Sequence, residues 1–149
     1  MLWLFGGAFL PEAGRRRLAE GDELDFALIR PDGSLHGVEI KRARIRRMLK
    51  RQRNHYILGR EIYEARGQAN NYLVSLDEQR PRVLAEHRID TRRATMTVVI
   101  GSAQHADPRY STELIEETLR IENSSFPRAW IVTYDQLIDD AQRLLAGAE

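Results

Sequence analysis

Asp25, Glu39 and Lys41 are the residues of this chain whose types and spacing could do chemistry. Asp25 lies in one apolar run and Glu39-Ile40-Lys41 in the next, with the turn Pro31-Asp32-Gly33-Ser34 between them. Two carboxylates supply the hard oxygen ligands that Mg²⁺ takes, and the Ile40 carbonyl is a candidate third protein ligand. A cation held there lowers the pKa of a bound water and stabilises charge on a phosphate. A lysine ammonium beside it orients that water or neutralises the transition state. The chemistry on offer is metal-assisted hydrolysis of a phosphodiester. An acid-any-lysine triplet is common, and its ordinary reading is a solvated ion pair at a strand edge. The aspartate one strand earlier, across a turn, brings the metal-site reading level with the ordinary one.

Those residues need a hairpin to meet. Leu24, Phe26 and Leu28 alternate with Asp25, Ala27 and Ile29, so residues 24–30 read as a strand with two mostly buried faces. Proline presets φ in the turn and glycine tolerates positive φ. Residues 37–42 form the second strand, and a hairpin centred near Asp32 and Gly33 sets Asp25 opposite the segment from Glu39 to Lys41. Glu39 and Lys41, two apart, share a face, and Ile40 is expected to point into the core.

Composition bounds the rest. A chain of 149 residues holds one domain with a sizeable core, and 42% hydrophobic with 30% charged residues describes a soluble protein. The absence of cysteine excludes disulfides and thiolate metal sites. No apolar run approaches a membrane span. The apolar opening, residues 1–10, lacks a basic n-region and reads as core, so the expected location is cytoplasmic. The net charge of +1 hides an asymmetry: residues 1–75 carry 14 basic and 9 acidic side chains, residues 76–149 carry 9 and 13. The basic excess peaks just past the triplet, where Arg42, Arg44, Arg46, Arg47, Lys50, Arg51 and Arg53 occur with no acid among them. Such a block suits a phosphate-binding rim for DNA, against the plain alternative of a solvated loop or helix. Of 23 basic residues only Lys41 and Lys50 are lysine, so a lysine at the triplet stands out mildly.

Along the remainder, residues 11–22 read as a polar connection containing Arg15, Arg16 and Arg17. Residues 56–79 read as a helix ended by Pro81, residues 82–89 as a short strand, and residues 95–101 as a central strand. Residues 112–121 form an amphipathic helix, 129–133 a buried strand and 135–146 a final helix with acids in its first turns. The expected architecture is α/β, a mixed sheet flanked by helices. Glu61 and Gln68, seven apart, lie on one helical face, with Tyr72 one turn beyond Gln68. Gln68 is either a phosphate or metal-site contact or an exposed glutamine, and the exposed glutamine is the better reading of the residue alone.

The hairpin with Asp25, Glu39 and Lys41 resembles the PD-(D/E)XK nuclease superfamily, and the chain more specifically resembles the C-terminal nuclease domain of the Shedu family. The likeness rests on the hairpin, on residues 61–68 followed by Tyr72-Leu73, and on residues 98–101, 119–123 and 131–137 with their Thr-Tyr-Asp-x-Leu helix start. Leu4-Phe5-Gly6 is also similar. The resemblance implies a restriction-endonuclease-like core and Mg²⁺-dependent DNA cleavage in bacterial anti-phage defence, with Mn²⁺ a possible substitute. It implies Asp25 and Glu39 as ligands, Lys41 as catalytic, Gln68 in the site, and a homo-oligomer, dimer or tetramer. Two departures stand out. The chain opens almost at Leu4-Phe5-Gly6, so it is expected to be one nuclease domain, residues 1–149, without the family's preceding helix and N-terminal region. Ser102-Ala103-Gln104 also stands where an arginine is expected.

Two other functions compete: a non-catalytic DNA-binding or assembly module, and a DNA repair nuclease of the same fold. His36, near the turn, could face a substrate, and His55, His87 and His105 lack metal-ligand spacing; each histidine reads first as an ordinary polar residue. Trp3 and Trp130 read as core, and Tyr134 as packing or a contact with a neighbouring molecule.

Overall fold

The turn at residues 31–34 closes as its composition dictates. Gly33 takes φ of 83°, its N–H donates to the Arg30 carbonyl at 2.8 Å, and the Asp32 carboxylate accepts from the Ser34 N–H and hydroxyl at 2.9 and 2.6 Å. The computed structural model describes residues 18–19 and 23–147, together with the backbone of Ala8–Phe9. The expectations for Trp3, for residues 1–7 and for most of residues 11–22 lie outside it.

Strand β1 (Ala8–Phe9) pairs antiparallel with β2 (Phe26–Ile29), which pairs antiparallel with β3 (Leu35–Ile40) in the register Phe26↔Val38 and Leu28↔His36. The hairpin is therefore centred on Asp32. A separate two-stranded ribbon follows, β4 (Leu49–Gln52) and β5 (His55–Leu58), and then helix α1 (Arg60–Glu78). Helix α2 (Arg80–His87), β6 (Thr95–Val99), α3 (Thr112–Ser124), β7 (Ala129–Val132) and α4 (Tyr134–Ala146) complete the chain. The main sheet has the order β1-β2-β3-β6-β7, and β3, β6 and β7 run parallel. The architecture is a mixed α/β sheet flanked by helices. No helix among the described residues is long and apolar enough to cross a membrane.

Helices α1 and α3 cover one face of the sheet. Helix α1 buries Ile62, Ala65, Ala69, Tyr72, Leu73 and Leu76, the stripe that a 3.6-residue period creates. Each large apolar side chain so buried contributes about 1.5–3 kcal/mol. Arg66 on the same stripe is fully buried, yet satisfied: it donates to the Glu122 carboxylate at 2.8 Å and lies 3.9 Å over the Phe126 ring. That pair locks α1 to α3. The smaller core on the other face, Leu28, Val38 and Val99, packs with Tyr134 and Leu137 of α4.

Two element assignments differ from the sequence reading. Residues 56–58 are strand rather than helix, because a Cβ on Gly59 would sit 1.8 Å from the Arg47 carbonyl oxygen. The chain passes this close to Arg47 while the Gly59 N–H donates to the Met48 carbonyl at 2.7 Å. Helix α1 begins only after that crossing. Residues 82–89 are mostly helix rather than strand. Pro81 sits in the first turn of α2, where a missing N–H costs nothing, so it starts a helix instead of only ending one.

The open edge of β7 is capped at Ile131 from within. The Asn123 side chain accepts from the Ile131 N–H at 2.9 Å and donates to the Ile131 carbonyl at 2.8 Å, occupying a pair of groups that would otherwise template another strand. His36, a sequence candidate for facing substrate, is buried instead. Its Nδ1 lies 3.0 Å from Arg30 Nη2 and its Nε2 lies 3.0 Å from Thr97 Oγ1. A guanidinium only donates, so Nδ1 is the acceptor and Nε2 carries the proton. Burial, and secondarily the Arg30 charge, push the His36 pKa down to about 4. Trp130 is half-buried and stacks on His36, so it is not a core tryptophan.

Gly59→Ala is expected to destabilise the fold by about 3 kcal/mol in urea melts, because the clash is with backbone and cannot be relieved by a rotamer. The His36 shift sets a pH dependence. Between about 4 and 6.5 the unfolded chain binds a proton that the folded chain excludes, so stability is lost as pH falls through that window. The stability advantage of the parent over His36→Gln should narrow by about 2–3 kcal/mol between pH 7 and pH 4.5.

Candidate active site

Asp25 sits in a bend just before β2 rather than on the strand itself. Freed from the pleat, its carboxylate reaches the edge of β3 and Oδ2 accepts the Ile40 N–H at 2.7 Å. The next N–H, that of Lys41, points the other way and donates to the Val99 carbonyl at 2.8 Å. Because a residue's N–H and C=O leave a strand on the same side, the Ile40 carbonyl shares the side of Asp25.

Glu39 and Lys41 share the face under α1, as their spacing requires. Lys41 Nζ lies 2.8 Å from Glu39 Oε1, with the side chains 31% and 22% exposed. Both line a cavity of about 290 Å³ whose far wall is Ala65, Gln68, Ala69 and Tyr72 of α1. An adjoining cavity of about 460 Å³ is lined by Ile40, Lys41, Arg42, Glu61, Glu64 and Gln68. Gln68 is exposed and borders both. Ile40 is not core: it is 36% exposed, because it lies beyond Val38, the last residue of β3 in the α4-side core. An exposed isoleucine at this point leaves the Asp25 edge open to solvent.

Tyr134 braces the same backbone. Its hydroxyl donates to the Lys41 carbonyl at 2.5 Å, and burial first, then the negative Asp25, raise its pKa. Helix α4 delivers it there through a capping box: the Thr133 hydroxyl accepts the Gln136 N–H while the Gln136 side chain accepts the Thr133 N–H. Asp135 in the same turn accepts from the Ser102 hydroxyl at 2.9 Å and the Ala103 N–H at 2.7 Å. Ser102, where an arginine was expected, is buried and serves this junction. The sequence reads Tyr134 as packing or a contact with a neighbouring molecule; the Thr-x-x-Gln box next to it is the signal for its fixed place.

The basic block is neither a helix nor one surface. Arg42 is paired with Glu61 of α1, and Arg46 reaches Asp107 at 4.0 Å. Arg44, Arg47, Lys50, Arg51 and Arg53 are exposed along the loop and the β4–β5 ribbon. Glu61 thus serves Arg42, which its place on the helix did not reveal.

The donor types present are those a hard cation takes. Asp25, Glu39 and the Ile40 carbonyl offer only oxygen. No group of three or more acidic or histidine side chains converges among the described residues, so a cation here would rely on two carboxylates, the carbonyl and water. That is the pattern Mg²⁺ tolerates best.

The sequence matches the family described as Shedu protein SduA, C-terminal, over residues 2–138. No curated protein matches the chain.

The Asp25 carboxylate has a structural duty apart from any cation. Asp25→Ala is expected to cost about 1.5 kcal/mol in chemical denaturation, since the Ile40 N–H loses a charged acceptor. Asp25→Asn, which keeps an acceptor oxygen, should recover most of that stability.

Proposed function

The chain belongs to the Shedu SduA C-terminal family, and from that premise we propose that it is a DNA nuclease that hydrolyses phosphodiester bonds with Mg²⁺ in bacterial anti-phage defence. The observation that carries this reading is the end of β3. There Asp25 is held on the Ile40 N–H while Glu39 and Lys41 stand together over the cleft beneath α1. A restriction-endonuclease-like core is the reading of the fold that fits this placement.

In this proposal Asp25, Glu39 and the Ile40 carbonyl hold the cation, with Mn²⁺ able to substitute. When bound, the metal supplies an activated water and positive charge beside the scissile phosphate. Lys41 faces the same cleft and places an ammonium where negative charge develops on the phosphate. Tyr134 holds the Lys41 carbonyl and thereby the direction in which that side chain leaves the strand. Gln68, at the mouth of the cleft, contacts the phosphate or its water. The exposed basic residues Arg44, Arg47, Lys50, Arg51 and Arg53 take the DNA backbone, and Arg42 joins them on release from Glu61. The active form is a cytoplasmic homo-oligomer.

One observation favours a second reading, a DNA-binding module without catalysis: Glu39 is already neutralised by Lys41. A half-exposed pair of this kind is worth only about 0–1 kcal/mol, so a divalent cation can displace it.

The deciding experiment is cleavage of linear and supercoiled DNA with Mg²⁺ or Mn²⁺ against EDTA. EDTA should abolish cleavage, and Lys41→Ala should lower it by about 10²–10³-fold while DNA binding and the melting temperature hold. A Lys41→Ala protein that cuts like the parent would overturn the site assignment. Salt-sensitive DNA binding without cleavage by the folded parent would favour the second reading. Asp25→Asn should lose Mn²⁺ binding in calorimetry while remaining folded.

A further inference from the structure

The β4–β5 ribbon stands apart from the main sheet, yet its base is fixed. Leu49 and Leu58 are buried opposite one another, and Tyr56 packs edge-on to Tyr110 with ring centroids 5.7 Å apart. From that base every residue from Lys50 to His55 is exposed. The register Lys50↔Ile57 and Gln52↔His55 puts Lys50, Gln52 and His55 on one face. Arg51, on the opposite face, donates its Nε–H to the Arg53 carbonyl at 3.3 Å and braces the tip. The two-residue tip is Arg53-Asn54, and Arg53 holds φ of 54°, a left-handed conformation that glycine would adopt without strain.

We propose that the β4–β5 ribbon inserts into the major groove of duplex DNA and reads base edges with Gln52, Arg53 and Asn54 while Lys50 takes a phosphate. The inference rests on the reading above that DNA is the substrate, and names the form of DNA and the element that engages it. Size agrees. Four residues at about 3.4 Å each reach about 14 Å, enough for a groove about 8.5 Å deep. Two strands about 4.8 Å apart with side chains on both faces fit a groove about 12 Å wide but not the minor groove of about 6 Å. The side chains agree as well, since amides pair with adenine edges and guanidinium with guanine. The ribbon is also joined to the site. A cavity of about 540 Å³ at its base is lined by Arg47, Lys50 and Arg51, by Arg109 paired with Asp107 and by Arg60 paired with Glu64, and it shares Glu61 with the cavity at Lys41. A backbone lying along these cations leads from the ribbon to the cleft.

The test is fluorescence anisotropy with a mixed-sequence duplex of about 30 base pairs, a length that spans about three helical turns. Its single strand serves as the comparison. EDTA is present, so cleavage plays no part in the readout. Lys50→Ala/Arg53→Ala should bind the duplex at least about tenfold more weakly, with a log–log salt slope shallower by about one, for the single phosphate contact of Lys50. Gln52→Ala/Asn54→Ala should keep the salt slope and lose the preference for duplex over single strand. Methyl green, which occupies the major groove, should displace the parent protein, and netropsin in the minor groove should not. Unchanged duplex binding in both folded variants, or displacement by netropsin alone, overturns the proposal. Should one double variant fail to fold, the other decides. Ribbon-dependent binding without any cleavage would remove the nuclease reading and leave this one. Cleavage and binding indifferent to both variants would do the reverse.

Discussion

The parity of hydrogen bonding at the end of β3 is the constraint on which the candidate site depends. Lys41 gives its N–H to Val99 on one side, and Ile40 gives its N–H to Asp25 on the other. This alternation sets which edge meets β6 and which meets the bend before β2. It also sends Glu39 and Lys41 to the α1 face together. A slip of one residue would turn both away from the cleft and bring Ile40 beneath α1. The hairpin centred on Asp32 guards against that slip at one end, and the five-residue parallel pairing with β6 guards against it along its length.

The scaffold is tied down by polar groups at the places where apolar packing is thin. Among the described residues the α4-side core has three fully buried members, Leu28, Val38 and Val99. Tyr134, Asp135 and the Thr133–Gln136 box give that helix a fixed start against Lys41 and Ser102. On the opposite side Arg66 is buried but fully engaged by Glu122 and Phe126, so a charge inside the protein joins two helices rather than standing isolated. Asn123, one residue along from Glu122, occupies the outward N–H and carbonyl of Ile131 on the β7 edge. The turns of α3 that hold α1 therefore also contact the β7 edge.

Charge is distributed to match. Arg42 is paired with Glu61, while Asp107 takes Arg109 closely and Arg46 only at 4.0 Å. The exposed cations lie farther out, along the loop and ribbon. The field that an anionic polymer would meet thus grows away from the cleft, while inside the cleft Glu39 and Lys41 balance one another.

The sequence by itself determined the hairpin, its centre and the shared face of Glu39 and Lys41, because a tight turn and a two-residue period leave little freedom in antiparallel pairing. It also determined the helical stripe of α1 and the central strand β6, where the apolar pattern is long or unbroken. Tertiary structure alone decided what short patterns leave open. Residues 56–58 are strand because they have β4 to pair with and a backbone crossing at Gly59, neither of which periodicity encodes. Residues 80–87 are helix although their few apolar positions suit either state. The surroundings of His36, Ile40, Trp130 and Tyr134 depend on partners roughly 60 to 90 residues away or on where a sheet face ends, as with Tyr134 on Lys41. Local spacing governs which side of an element a residue takes; only packing of distant segments governs what it meets there.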